Sequence, residues 1–222
     1  APHVLDMSGT HYHSISDLPD TLAVFPLPGV LLFPHWPLPL NIFEPRYLNM
    51  VDDAMSGNRL IGMIQSVGGD RQAPDLADVG CVGRITSYSE TEDGRYLITL
   101  SGVARFRVAE ELGVRTPYRQ VRADWAPYAG DFREAPHDLP GGRTALVQAL
   151  HAYAEAKDMS VDWDAVEKAD AEGLVNALCA GCPFSVMEKQ ALLEAPTLED
   201  RASRLAALLR MDSAGPESGT LQ

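Results

Sequence analysis

Between Thr21 and Phe43 the sequence runs for twenty-three residues without an Asp, Glu, Lys or Arg, and it carries Pro26, Pro28, Pro34, Pro37 and Pro39. An apolar helix of that length would be long enough to cross a bilayer. The prolines exclude it, because each one in a helix interior removes a hydrogen bond and clashes with the preceding turn at a cost of roughly 3 kcal/mol. The block is expected to fold instead as short extended segments, Leu22 to Phe25, Val30 to Leu32 and Leu38 to Phe43, with prolines at their ends and bends. A helix should follow at once. Pro45 suits a first-turn position, Tyr47, Leu48, Val51 and Met55 recur at helical spacing, and Ser56-Gly57-Asn58 ends the run.

Downstream the pattern is that of β-structure. Leu60 to Gln65 is a short apolar run, and a Gly/Asp/Pro-rich stretch from Gly68 to Asp78 is expected to be a loop. Cys81 to Ser89 and Arg95 to Val108 read as two strands joined across Glu92-Asp93-Gly94-Arg95, whose Asp-Gly pair favours a hairpin. In the second, Tyr96, Ile98 and Leu100 alternate with Leu97, Thr99 and Ser101, which gives the strand two unlike faces. Gly102 is expected to mark a bulge or bend, and Tyr118 to Trp125 to return to the sheet. Past Pro127 the texture turns to alanine and leucine, with helices expected at Arg143 to Ala156, Trp163 to Cys179, Ser185 to Leu193 and Leu198 to Leu209. Ser185-x-x-Glu188 and Thr197-x-x-Asp200 have the spacing of capping boxes.

The expected organisation is α+β: a flexible N-terminal segment over 1–20, a β-rich lobe over 21–127, a helical lobe over 128–211 and a polar, frayed tail over 212–222. With 222 residues, 45% of them hydrophobic, such a core can be built. Eighteen Lys and Arg against thirty-one Asp and Glu leave a net charge of −13, which opposes contact with a phosphate backbone. Three cysteines, Cys81, Cys179 and Cys182, are too few for a disulfide scaffold, and Ala1 to Asp20 lacks the pattern of a signal peptide. A cytoplasmic location is therefore expected.

Two long motif blocks carry a family resemblance. The run Phe25-Pro-Leu-Pro-Gly-Val-Leu-Leu-Phe-Pro-His-Trp-Pro-Leu-Pro-Leu-Asn-Ile-Phe-Glu-Pro-Arg-Tyr47, followed by Asp93-Gly-Arg-Tyr-Leu-Ile-Thr-Leu-Ser-Gly-Val-Ala-Arg-Phe-Arg-Val108, resembles the amino-terminal domain of the Lon ATP-dependent proteases. It is more similar still to stand-alone bacterial proteins built from that domain. The resemblance spans Leu22 to Leu209 and implies a PUA-like β pseudo-barrel crossed by a helix, then a C-terminal helical bundle. In the full protease this domain recruits unfolded or tagged substrates, while an AAA+ module hydrolyses ATP and a Ser-Lys dyad cuts peptide bonds. This sequence contains no Gly-x-x-x-x-Gly-Lys-Ser/Thr loop and has little length after Leu209, so neither activity is expected of it.

Other residue groups that could carry chemistry fit a structural role better. Cys179-Ala-Gly-Cys182 supplies two of the four ligands of a zinc site and closes a helix rather than opening one, so buried packing is favoured over metal or redox use. His11-Tyr12-His13, with His3, forms a two-ligand pair in a polar terminus that is expected to be solvated. His35 is expected to pack or to bond a turn backbone, since no Gly-x-Ser-x-Gly or His-Glu-x-x-His motif accompanies it. Asp52-Asp53 project about 100° apart on a helix, and Asp162 and Asp164 suit a helix start. Arg84, Arg95, Arg105, Arg107, Arg115, Arg119 and Arg122 face only Glu90, Glu92, Asp93, Glu110 and Glu111 in the sheet region, a balance too small for an RNA-binding face. Ion pairs are expected there.

What remains is the proline and aromatic block. Phe33, His35, Trp36, Phe43 and Tyr47 are the candidates for binding extended polypeptide, with Phe33 and Phe43 expected inward and Trp36 and Tyr47 on a rim. The expected function is a non-catalytic polypeptide-binding or adaptor module linked to proteolysis or protein quality control, without cofactor or metal. Its partners would be unfolded polypeptide or a protease or chaperone, with nucleic acid disfavoured and no membrane. The competing class is an enzyme or small-ligand protein using a cleft between lobes.

Overall fold

The computed structural model describes residues 5–6, 11–139 and 142–215, with side chains from residue 11 onward. It divides into two units, Ala1–Glu134 and Ala135–Gln222. In the first, β1 (Leu5–Asp6), β2 (Thr21–Pro26), β3 (Pro37–Ile42), β4 (Leu60–Gly69), β5 (Pro74–Glu90), β6 (Tyr96–Glu111) and β7 (Gln120–Asp124) form one sheet in the order β1-β5-β4-β2-β7-β6-β3. Because β5 also pairs with β6, the path β5-β4-β2-β7-β6 returns on itself and closes a barrel. The strands β1 and β3 lie outside that ring as edges. Leu22, Val24, Leu60, Ile64, Val82, Phe106 and Val121 fill the interior. Phe106 meets Trp125 edge-on at 5.8 Å, and the Trp125 indole N–H donates to the Pro19 carbonyl.

The α-helix α1 (Pro45–Ser56) begins where expected because Pro45 occupies its first turn. It buries Tyr47, Met50, Val51 and Ala54. Its exposed Asp52 and Asp53 diverge as helical neighbours must: Asp52 accepts from the Tyr96 hydroxyl on β6 at 2.9 Å, and Asp53 from the Tyr118 hydroxyl just before β7 at 2.6 Å. Two phenols thus clasp the helix to the sheet.

Several expectations need correction. Val30 to Leu32 forms no strand; the Pro28-Gly29 and Pro34-His35 turns bracket it, and Leu31, Leu32 and Phe33 enter the core as an irregular plug. The stretch from Gly68 to Asp78 is mostly ladder rather than loop, since Ser66 pairs with Leu76 and Gly69 with Pro74, and bulges absorb the irregular sequence. Residues 11–20 are anchored: Ile15–Asp17 makes a 3₁₀ turn, Leu18 is buried and Tyr12 packs on the core. His3 lies outside the described residues. The first unit also runs past Pro127, because the 3₁₀ segment Ala126–Phe132 carries Asp131, which pairs with the buried Arg105.

The second unit is helical: α2 (Gly142–Ala156), α3 (Trp163–Lys168), α4 (Ala171–Gly181), α5 (Val186–Leu193) and α6 (Leu198–Ala214). The single helix expected from Trp163 to Cys179 is two, because the backbone turns extended at Ala169 and Asp170, and Asp170 caps the next helix by accepting from the Gly173 N–H. The Arg143 guanidinium donates to the carbonyls of Val166, Glu167 and Ala169, satisfying acceptors that the end of α3 leaves open. Ser185 and Thr197 cap α5 and α6 as their spacing predicts. Asp212 belongs to α6 rather than to a frayed tail, and 216–222 lie outside the described residues.

Candidate functional site

Directly paired residues of adjacent strands point to the same side of a sheet, so register decides which side chains share a face. Between β3 and β6 the pairs Leu38–Leu100, Leu40–Ile98 and Ile42–Tyr96 define the inner face. The outer face carries Pro37–Ser101, Pro39–Thr99 and Asn41–Leu97. Leu97 is exposed on that face, and Phe43, one residue beyond β3, is 64% exposed. An exposed phenylalanine and leucine beside a proline row give this edge an apolar surface about 20 Å long, six residue steps from Pro37 to Phe43 at 3.3–3.4 Å each. The prolines also shape its rim. Leu38, Leu40 and Ile42 direct their N–H groups to β6, so outward donors would have to come from residues 37, 39 and 41, and two of those have none. This edge offers side-chain packing more readily than donors for an added β-ladder.

The far end of the face is fixed by a close approach. The His35 N–H donates to the Gly102 carbonyl and the Gly102 N–H to the Trp36 carbonyl, both at 2.9 Å, latching the Phe33–Trp36 turn onto β6. A Cβ at Gly102 would lie 1.8 Å from the Phe33 carbonyl oxygen, so only glycine fits. The turn holds His35 at φ 62°, exposed, with Trp36 half-buried beside it. Next to it a cavity of about 340 Å³ is lined by His11, Tyr12, His35, Arg84, Ser101 and Phe132 among others. His11 is thus part of a pocket wall rather than only a solvated terminus.

The five candidates from the sequence do not converge. Phe33 is wholly buried, as expected, and makes no surface. Phe43 and Tyr47 exchange the places expected of them: Phe43 is exposed, whereas Tyr47 is 7% exposed and packs on Phe25 with ring centroids 4.2 Å apart. The register explains Phe43, which falls past the last paired residue. The α1 face explains Tyr47, whose ring must enter the core; its edge reaches a second cavity, lined by Pro26, Pro28, Arg46, Arg71 and Arg119. Burial raises the Tyr47 phenol above its ordinary value. Leu97, Ser101 and Arg84 belong to the site without having been legible as members of it. Alternation along β6 already placed Leu97 and Ser101 on one side, but their meeting with β3 needed the register.

Residues 21–211 match the family model described as the ATP-dependent protease La (LON) substrate-binding domain. The protein belongs to the Lon substrate-binding domain family. Among its relatives are the Lon protease of Flavobacterium johnsoniae, 25% identical over 84% of this chain and 23% of that protein, and the Lon protease of Parabacteroides distasonis, 27% identical over 93% and 26%. The sequence therefore spans about a quarter of the length of these curated relatives. Its fold is shared with the Lon N-terminal domain protein from Xanthomonas campestris, at a TM-score of 0.61 and 22% identity over 84% of this chain and 97% of that one. The N-terminal domain of a Mycobacterium avium complex Lon protease superposes similarly, at a TM-score of 0.60 and 14% identity over 88% and 99%.

Most of the other residues singled out in this Lon-type domain lie in ion pairs or in the buried interior. Arg95, Arg105, Arg107, Arg119 and Arg122 pair with Asp93, Asp131, Asp124, Glu111 and Glu110. The Arg105–Asp131 pair is buried, with contacts of 2.7 and 3.0 Å and the Tyr128 ring 4.3 Å from the guanidinium carbon. Those carboxylates neutralise most of the sheet's positive charge. Cys179 and Cys182 are buried free thiols at the end of α4. Burial pushes the Cys179 thiol up to about 12, which disfavours the thiolate that metal binding or redox exchange requires. Among the described residues no group of three or more His, Cys, Asp or Glu is placed to hold a metal, and no helix is long and apolar enough to cross a membrane.

Proposed function

We propose that the protein is a non-catalytic recognition module that binds extended or unfolded polypeptide along the outer face of β3 and β6. The exposed Phe43 carries this reading, because a 64% exposed aromatic next to exposed Leu97 and a proline row is an apolar surface left open by the described residues. Its family supports the same reading, as the matched model is named for substrate binding. The free, buried cysteines fit work in a reducing compartment such as the cytoplasm. Acting as an adaptor, the module would hand a client to a protease or chaperone.

The test is binding of a fluorescently labelled, permanently unfolded model protein, followed by anisotropy, with wild type and the double variant Phe43→Ser, Leu97→Ser. Burial of one such side chain contributes about 1.5–3 kcal/mol. The double variant is expected to bind about tenfold or more weakly while melting at an unchanged temperature. Absence of saturable binding by the wild type, or equal binding by the variant, would reject the proposal.

A further inference from the structure

Arg84 stands apart from the other arginines of the sheet. Arg107 and Arg122 each face a carboxylate as a direct cross-strand partner, Asp124 and Glu110. The cross-strand partner of Arg84 is Ser101, which brings no charge. Among the described residues Arg84 meets no carboxylate at all: its Nη1 donates to the Asn58 carbonyl at 3.1 Å and the Tyr12 hydroxyl at 3.4 Å. Its Nε is shut off from solvent without an acceptor, and no bond among the described residues engages Nη2. This half-buried guanidinium therefore keeps an Nη2 that no protein group among the described residues engages, and the residue lines the 340 Å³ cavity at the end of the β3–β6 face.

We infer that this cavity is a carboxylate-binding subsite for the bound polypeptide, with Arg84 as its anchor. The subsite rests on the polypeptide-binding role proposed above. Nη2, which no bond among the described residues engages, carries N–H donors of a permanently charged group that a carboxylate oxygen accepts in a charge-assisted hydrogen bond. The Ser101 hydroxyl and the imidazoles of His11 and His35 are further polar groups in the lining, while Val103 and Phe132 form an apolar wall; the Thr86 hydroxyl is spent on the Thr99 carbonyl. A single arginine suits a singly charged carboxylate better than a phosphate. The outer row Leu97, Thr99, Ser101 leads straight from the apolar surface to this cavity, so one extended peptide lays apolar side chains on the first and a carboxylate in the second. The carboxylate is either the peptide's own C-terminus or an Asp or Glu side group.

The experiment compares three peptides with one apolar core: free C-terminus, amidated C-terminus, and amidated with an added terminal Glu. Binding is read by anisotropy at low salt, and the Arg84 Nε–H resonance is followed in parallel with N-acetylglycine and N-acetylglycinamide. Wild type should favour the carboxylate-bearing peptides about tenfold, and gain with the Glu peptide or the free terminus identifies which source is used. Arg84→Gln should abolish the preference. Ser101→Asp should abolish it too, since it places a carboxylate opposite Arg84 as Asp124 stands opposite Arg107, and it provides a second variant should Arg84→Gln unfold. Equal binding of all three peptides by wild type, or a preference that survives both variants, overturns the subsite and leaves polypeptide binding standing. If no peptide binds but N-acetylglycine alone shifts the Arg84 resonance, the subsite stands and the polypeptide reading falls. No response to any probe overturns both.

Discussion

At Gly102 the position of a whole turn depends on a missing methyl group. The Phe33 carbonyl sits where a Cβ would be, and the two hydrogen bonds that hold His35 and Trp36 run through the Gly102 backbone. Gly102→Ala is expected to destabilise the protein by about 1–3 kcal/mol or more, because the intruding atom meets rigid backbone rather than a yielding side group. Chemical denaturation measures it, and a midpoint equal to wild type would show that the turn can be re-sited at no cost. The sequence marked Gly102 as an irregular position, yet could not say what approached it. The same limit applies to Arg84: the sequence shows seven arginines in a region with few acids, but that Arg84 and Arg115 are the two without a carboxylate among the described residues depends on register and on Asp131 and Asp124, which lie beyond that stretch.

Among the helices and strands, proline and alternation carried most of the reading. Pro45 placed the start of α1, and the Asp93-Gly94 pair placed the β5–β6 turn. Propensity failed where pairing overruled it, as in the Gly/Asp/Pro-rich stretch that became the β4–β5 ladder, and where an apolar run was short enough to be plug or strand, as at Val30 to Leu32. The clasp on α1 makes its own prediction. Burial first, and then the hydrogen bond to Asp53, raise the Tyr118 phenol from 10.0 to about 12. Since the folded state holds the proton more tightly than the unfolded one, this contribution to stability is complete below pH 10 and is lost as pH rises toward 12. Melting temperature should therefore fall across that window, and Tyr118→Phe should lessen the fall. An identical alkaline slope in Tyr118→Phe would show that the phenol is not responsible.

For the molecule as a whole, an acidic protein has a sheet whose arginines are largely neutralised in place, so its net charge of −13 is not offset by a basic face. The division into a β-rich and a helical unit was legible in the change of periodicity past Pro127, although the first unit runs on to Glu134, whereas the β pseudo-barrel was implied by the family resemblance. The candidate site was legible only as a block. Sequence position grouped Phe33, His35, Trp36, Phe43 and Tyr47, whereas folding sent Phe33 and Tyr47 inward and joined Phe43 to Leu97 from a distant strand. Everything proposed for function depends on polypeptide being bound on that assembled face. Amide and methyl chemical-shift mapping during titration with an unfolded model peptide locates the binding surface residue by residue. Binding on this face should give saturable shifts concentrated on Trp36, Phe43, Leu97, Thr99 and Ser101; saturable shifts confined to other surfaces, or none at all, would refute it.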